Sequence, residues 1–130
     1  MNFTPLLAYF SYLGSGLVAM ALFMLLYERI TPYRELALIR EGNLAAGLSF
    51  GGALLGFVLT LASSAMHALG WKEFIGWALV AGLVQLVAFG AVCLVVRRVK
   101  EHIENGNVAV GASLFCISLG MGILNAACLA

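Results

Sequence analysis

The chain has 130 residues, of which 63% are apolar and 10% charged, with a net charge of +1. Average globular chains carry roughly 25% charged residues, so the wettable exterior of a soluble domain is missing and composition alone implies a membrane protein. The same figures exclude a disordered chain, a basic nucleic-acid binder and, with three cysteines, a disulfide-stapled secreted scaffold.

A membrane-crossing helix needs about 20 mainly apolar residues to span roughly 30 Å of hydrocarbon. Four windows meet that length: Leu6 to Tyr27, Leu44 to Met66, Phe74 to Val96 and Val108 to Ala130. The expected fold is an all-α membrane protein, a single membrane domain over 1–130 built of two helical hairpins, 6–66 and 74–130. In the first span Ala19-Met20-Ala21 has the look of a cleavage site. Met1 to Pro5 carries no positive charge, however, and the apolar run continues to Leu26, which predicts a retained helix.

In the first loop, Thr31 to Glu41 reads as a short interfacial helix with Thr31 as N-cap and Pro32 at the first helical position. Gly42 ends it, and Asn43 caps the second span. The third loop repeats the arrangement, with Arg98, Glu101 and Glu104 ahead of Gly106 and the capping Asn107. Mixed charges of this kind predict a solvated face and pairing within each loop, Arg34 with Glu35 and Arg98 with Glu101.

Orientation follows from the basic residues, because positive charge is retained on the cytoplasmic side of short loops. Loops one and three hold Arg29, Arg34, Arg40, Arg97, Arg98 and Lys100; the second holds only Lys72. That bias predicts cytoplasmic first and third loops and both termini outside, which in an inner membrane means periplasmic. Trp71 and Trp77, flanking the second loop, suit the membrane interface.

Sliding the sequence against itself by 64 residues aligns 42–66 with 106–130 at 8 identities in 25 positions. A duplicated hairpin is implied, both copies in the same orientation about an axis along the membrane normal. The second span carries a stripe of small residues, Ala45, Ser49, Gly52, Gly56 and Ser63; the repeat equates it with Ala109, Ser113, Cys116, Gly120 and Ala127. Small residues let helix backbones approach in lipid. The two stripes are expected to cross, with Gly52 and Gly56 against Cys116 and Gly120; the rival reading puts one stripe at a subunit interface.

The strings Thr31-Pro32-Tyr33, Arg40-Glu41-Gly42-Asn43-Leu44-Ala45-Ala46, Gly51-Gly52-Ala53-Leu54-Leu55-Gly56-Phe57 and Asn125-Ala126-Ala127-Cys128 together resemble the YjfL family of small bacterial inner-membrane proteins. The resemblance covers nearly the whole chain. It implies four spans and a bacterial inner membrane, without an assigned activity. It also hints at work alongside envelope-stress proteins of the phage-shock type or enzymes like polyamine ligases. Relatives usually carry proline where this chain has Thr60, which leaves open whether the second span keeps the kink a proline imposes.

No Asp, Glu, Lys or Arg falls within the four windows, which argues against the buried carboxylate of proton-coupled exporters. The polar candidates inside the membrane are Gln85, Asn125, Ser63 and Ser64. Gln85, near the centre of its span, reads first as interhelical glue, and Asn125 with the serines as a possible polar cavity lining. His67 sits at a boundary without a second ligand at metal spacing. Cys93, Cys116 and Cys128 read as small packing residues. No catalytic constellation, cofactor or metal is expected. The expected role is a membrane scaffold or interaction component linked to envelope stress, acting as a homo-oligomer or with a membrane-associated partner and without nucleic acid. The alternative is an oligomeric channel or transporter for ions or small polar solutes.

Overall fold

A computed structural model describes residues 4–129; residues 1–3 and Ala130, which the sequence reading assigns to the N-terminal flank and the end of the last span, lie outside it. The described chain is helical throughout its elements: α1 (Thr4–Ile30), α2 (Glu35–Arg40), α3 (Leu44–His67), α4 (Trp71–Val95), α5 (Val99–Glu104) and α6 (Val108–Cys128). Among them α1, α3, α4 and α6 are long and apolar enough to cross a membrane. The two short helices α2 and α5 sit together at one end of the bundle.

Both short helices stop in the same way. Gly42 and Gly106 adopt positive φ (+85° and +75°), which glycine reaches without a Cβ clash. Their N–H groups donate to Ile39 O and Ile103 O, and those of Asn43 and Asn107 to Leu38 O and His102 O, the paired closure of a Schellman turn. The asparagine side chains then start the next span: Asn43 Oδ1 accepts from Ala46 N at 3.1 Å, Asn107 Oδ1 from Val110 N at 3.3 Å. Both expected caps are present. Thr31 does not begin α2. Its hydroxyl and its N–H both donate to Tyr27 O, so it closes α1, and α2 starts only at Glu35.

The hub is α3. Half of its most apolar stretch is buried, against 6% for α1, because α3 carries the small residues that admit close neighbours. It runs parallel to α6 in backbone contact. A Cβ on Gly111 would lie 2.6 Å from Ala45 O, one on Gly52 2.5 Å from Phe115 Cα, and one on Gly56 2.5 Å from Ser118 O. At Gly122 it would strike the Gly56 backbone.

These contacts correct the expected crossing. On α3, Ala45, Ser49, Gly52 and Gly56 do face inward. On α6 the packed face is Gly111, Leu114, Phe115, Ser118 and Gly122, while Ala109, Ser113, Cys116 and Gly120 are exposed. The packed face starts two positions later, about 200° around a helix, nearly the opposite side. The reason lies at the two points of closest approach. Residues 111 and 122 are three turns apart and both glycine, whereas the expected stripe starts with Ala109, whose Cβ would hold the backbones apart. Cys116 and Cys128 are likewise exposed, leaving Cys93 alone half-buried. Equal levels of α3 and α6 therefore meet through faces that a twofold axis does not relate.

Thr60 lies in an uninterrupted α3, donating to Gly56 O at 2.9 Å and to Gly122 O at 3.2 Å. Aromatic packing ties α1 to α3 and α4: Phe23 stacks on Phe57 at 4.4 Å, and Tyr27 leans on Phe89 at 4.6 Å. Towards the opposite end, the Trp71 indole donates to Ser15 Oγ.

Candidate functional site

The polar residues predicted inside the membrane are all engaged between helices. Gln85 Nε2 donates to Ser118 O at 2.8 Å and Asn125 Nδ2 to Ala81 O at 3.3 Å. Ser63 Oγ donates to Ala126 O at 2.7 Å, and Ser64 Oγ to Phe74 O at 3.4 Å. Each closes on a backbone carbonyl of another helix. They are spread along the bundle and do not converge on one cavity.

The convergent polar site is one that the sequence reading missed. After Thr31 closes α1, the chain folds back through Pro32 and Tyr33, and Glu35 enters between α1 and α3 with no exposed surface. The expected Arg34–Glu35 pair is absent. Among the described residues the ion pairs are Arg98–Glu101 at 3.7 Å, as expected, and Lys100–Glu104 at 4.0 Å, both exposed. Glu35 instead meets hydroxyls. Tyr27 Oη donates to Glu35 Oε1 at 2.8 Å and lies 3.1 Å from Ser49 Oγ, which lies 2.6 Å from Tyr33 Oη. An ionised carboxylate accepts only, so the order that partners every hydroxyl runs Tyr33 to Ser49 to Tyr27 to Glu35. Ser49 is the sixth residue of α3, roughly 8 Å inside its start at 1.5 Å per residue.

Burial pushes the Glu35 carboxyl up to about 7; the hydroxyls of Tyr27, which donates to it directly, and of Ser49 and Tyr33 behind it pull the other way, and nearby Glu28 adds to the rise. Burial, then the Glu35 charge, also pushes the Tyr33 phenol above its usual range. Oε2 of Glu35 and Oε2 of Glu28 are both buried without a hydrogen-bond partner. Among the described residues no three His, Cys, Asp or Glu side chains gather as a metal site would need. What the cluster can do is hold and release a proton near neutral pH. One sequence signal pointed to it: Glu35 shares a helical face with half-buried Leu38 and Ile39, while Arg34 and Arg40 lie outward.

The fold and this site define a small multi-pass membrane protein with four spanning helices and a sealed carboxylate where the first two spans join. The chain belongs to the DUF350 family, a domain of unknown function whose model matches residues 1–129. It is 38% identical to the UPF0719 inner membrane protein YjfL of Escherichia coli K12, and equally to that of the O157:H7 strain, over 95% of this chain and 94% of theirs. It is 29% identical to the UPF0719 transmembrane protein YshE of Bacillus subtilis, over 90% of this chain and 89% of that one. No solved structure matches it. It is accordingly a multi-pass inner-membrane protein.

Proposed function

We propose that the protein is a non-catalytic membrane scaffold, with both termini periplasmic and the α2/α5 end in the cytoplasm, where it engages a protein partner. The observation that carries this reading is the use made of the polar residues in the spans. Gln85, Asn125, Ser63 and Ser64 all donate to carbonyls of neighbouring helices, which ties the bundle together, and the one acceptor among them left without a partner, Gln85 Oε1, is sealed from any passing solute. Exposed charge gathers at the α2/α5 end. There Arg34, Arg40, Arg98 and Lys100 are exposed. A groove of about 430 Å³ runs between the two helices, lined by Pro32, Arg34, Leu38, Glu41, Lys100 and Glu104. Alternating charge beside an apolar floor suits a peptide segment of a partner. The resemblance to YjfL proteins suggests an envelope-stress component as that partner. The shared joints before α3 and α6 support a duplicated hairpin as the origin of the two-helix platform.

Purified protein in liposomes is expected to pass neither ions nor small polar solutes. Crosslinking in cells is expected to trap a cytoplasmic partner through wild-type α2 and α5 but not through the Arg34→Glu, Arg98→Glu variant. Flux that Gln85→Leu or Asn125→Leu abolishes would overturn the scaffold in favour of the channel. A phosphatase fused after residue 130 should be active and a fluorescent protein there dark; the reverse would invert the orientation.

A further inference from the structure

Glu35 has zero exposure and, among the described residues, no cationic partner. Among the described residues the groups facing it are Tyr27 and Glu28 from α1, Tyr33 from the connecting turn, Ser49 from α3 and Cys93 from α4. None carries positive charge, and Glu28 is of like charge. One oxygen receives a phenol hydrogen bond; the other, Oε2, is sealed and unpartnered. A buried carboxylate is retained in its charged form only by paired cations or several donors. This pocket supplies one close donor and an empty second oxygen, the arrangement that favours the neutral acid.

The helix that carries it is lightly held. Six residues long, α2 is anchored by the turn into α3, by half-buried Leu38 and Ile39, by the Tyr33 phenol on Ser49 and by Glu35 itself. Ionising Glu35 would leave the charge to seek water, and the shortest route to water is outward movement of α2.

We propose that Glu35 is a proton-binding site that latches α2 onto the bundle: the protonated carboxyl seats the helix between α1 and α3, and loss of the proton releases it. The step is a simple exchange. The proton leaves Oε2 for solvent as α2 opens, and Tyr27 keeps its own proton. Short helix α5 offers an internal reference, because the position equivalent to Glu35 is buried Val99.

Two measurements on full-length protein in lipid nanodiscs test it. Infrared difference spectra between acidic and alkaline pH are expected to show a protonated carboxyl band that disappears through neutral pH and is missing in Glu35→Gln. Hydrogen exchange, corrected for intrinsic rate, is expected to slow at residues 35–40 by tenfold or more at acidic over alkaline pH, with no such change at 99–104. Glu35→Gln should keep α2 protected at both. Should that variant fail to fold, Tyr27→Phe serves in its place: removing a donor to the charged form should move the band's midpoint to higher pH. Equal protection of α2 at both extremes, or a band that survives Glu35→Gln, would overturn the latch. Repeating the titration with sodium or potassium chloride in place of choline chloride separates ligands of like charge. A midpoint that falls in the metal salt alone would assign the site to a metal cation and sink the proton reading.

Discussion

The joints ahead of α3 and α6 share a backbone and differ in what they enclose. Each has a six-residue helix, a left-handed glycine, a Schellman closure and an asparagine cap. At positions 64 residues on, however, Tyr27, Tyr33, Glu35 and Ser49 become Ala91, Arg97, Val99 and Ser113. Val99 is buried as an apolar plug, Arg97 is exposed, and exposed Ser113 donates only to Ala109 O of its own helix. A turn is specified locally, by one residue free to take positive φ and one side chain able to cap. A buried polar cluster needs three segments to deliver matching groups, and only the first joint has them.

The sharpest break in the comparison lies at two glycines 64 residues apart in sequence, Gly56 and Gly120. Gly56 touches backbone and Gln85, whereas nothing approaches within 4 Å of a Cβ on Gly120. Gly56→Leu is expected to cost about 3 kcal/mol or more through overpacking, and Gly120→Leu less than about 0.5 kcal/mol. Denaturant titration in bicelles checks both.

Next in size is the carboxyl. Its folded value of about 7 stands above the ordinary 4.5, so the folded state binds the proton more tightly. The resulting stabilisation is complete below about 4.5 and is lost as pH rises through about 7, on the order of 3 kcal/mol at 1.36 kcal/mol per unit. Stability of the wild type should fall across that window while Glu35→Gln stays flat. Val99→Glu, which buries a carboxyl without hydroxyl neighbours, should destabilise by a few kcal/mol at neutral pH.

The caps differ by less. Asn43 also donates Nδ2 to Ile103 O at 2.7 Å, tying the first joint to the second, whereas Asn107 Nδ2 reaches only His102 Nδ1 at 3.2 Å. Replacement by alanine should cost about 2 kcal/mol at Asn43 and about 1 kcal/mol at Asn107. The smallest effect is expected at Arg98, which enters α5 with φ 59° where Arg34 enters α2 with φ −84°. Arg98→Gly should gain up to about 1 kcal/mol by removing Cβ strain, and the same change at Arg34 should gain nothing.

The spans were legible because apolar length is a one-dimensional property, and the true helices depart from the expected windows by only a few residues at either end. The joints were legible because Gly-Asn acts on its immediate neighbours. The α6 face was not: Ala109 to Gly120 is small throughout, whereas the face from Gly111 to Gly122 includes Leu114 and Phe115, and only the backbone approach of its two end glycines to Ala45 and Gly56 decides between them. The depth and small neighbours of Gln85 place it between helices, where Nε2 donates to Ser118 O while Oε1 is buried without a partner. Glu35 was hidden among loop charges that are in general solvated, because its burial depends on hydroxyls at Tyr27 and Ser49, on different helices.

The pairing of α3 with α6 also sets a timetable for biogenesis. The hub helix emerges second of the four spans, yet the glycines it packs against arrive last. At synthesis rates of roughly 5–20 residues per second, α3 waits in the membrane for several seconds before Gly122 exists to meet Gly56. Throughout that interval its small, hydroxyl-bearing face is open to chaperones, to proteases and to the wrong helix.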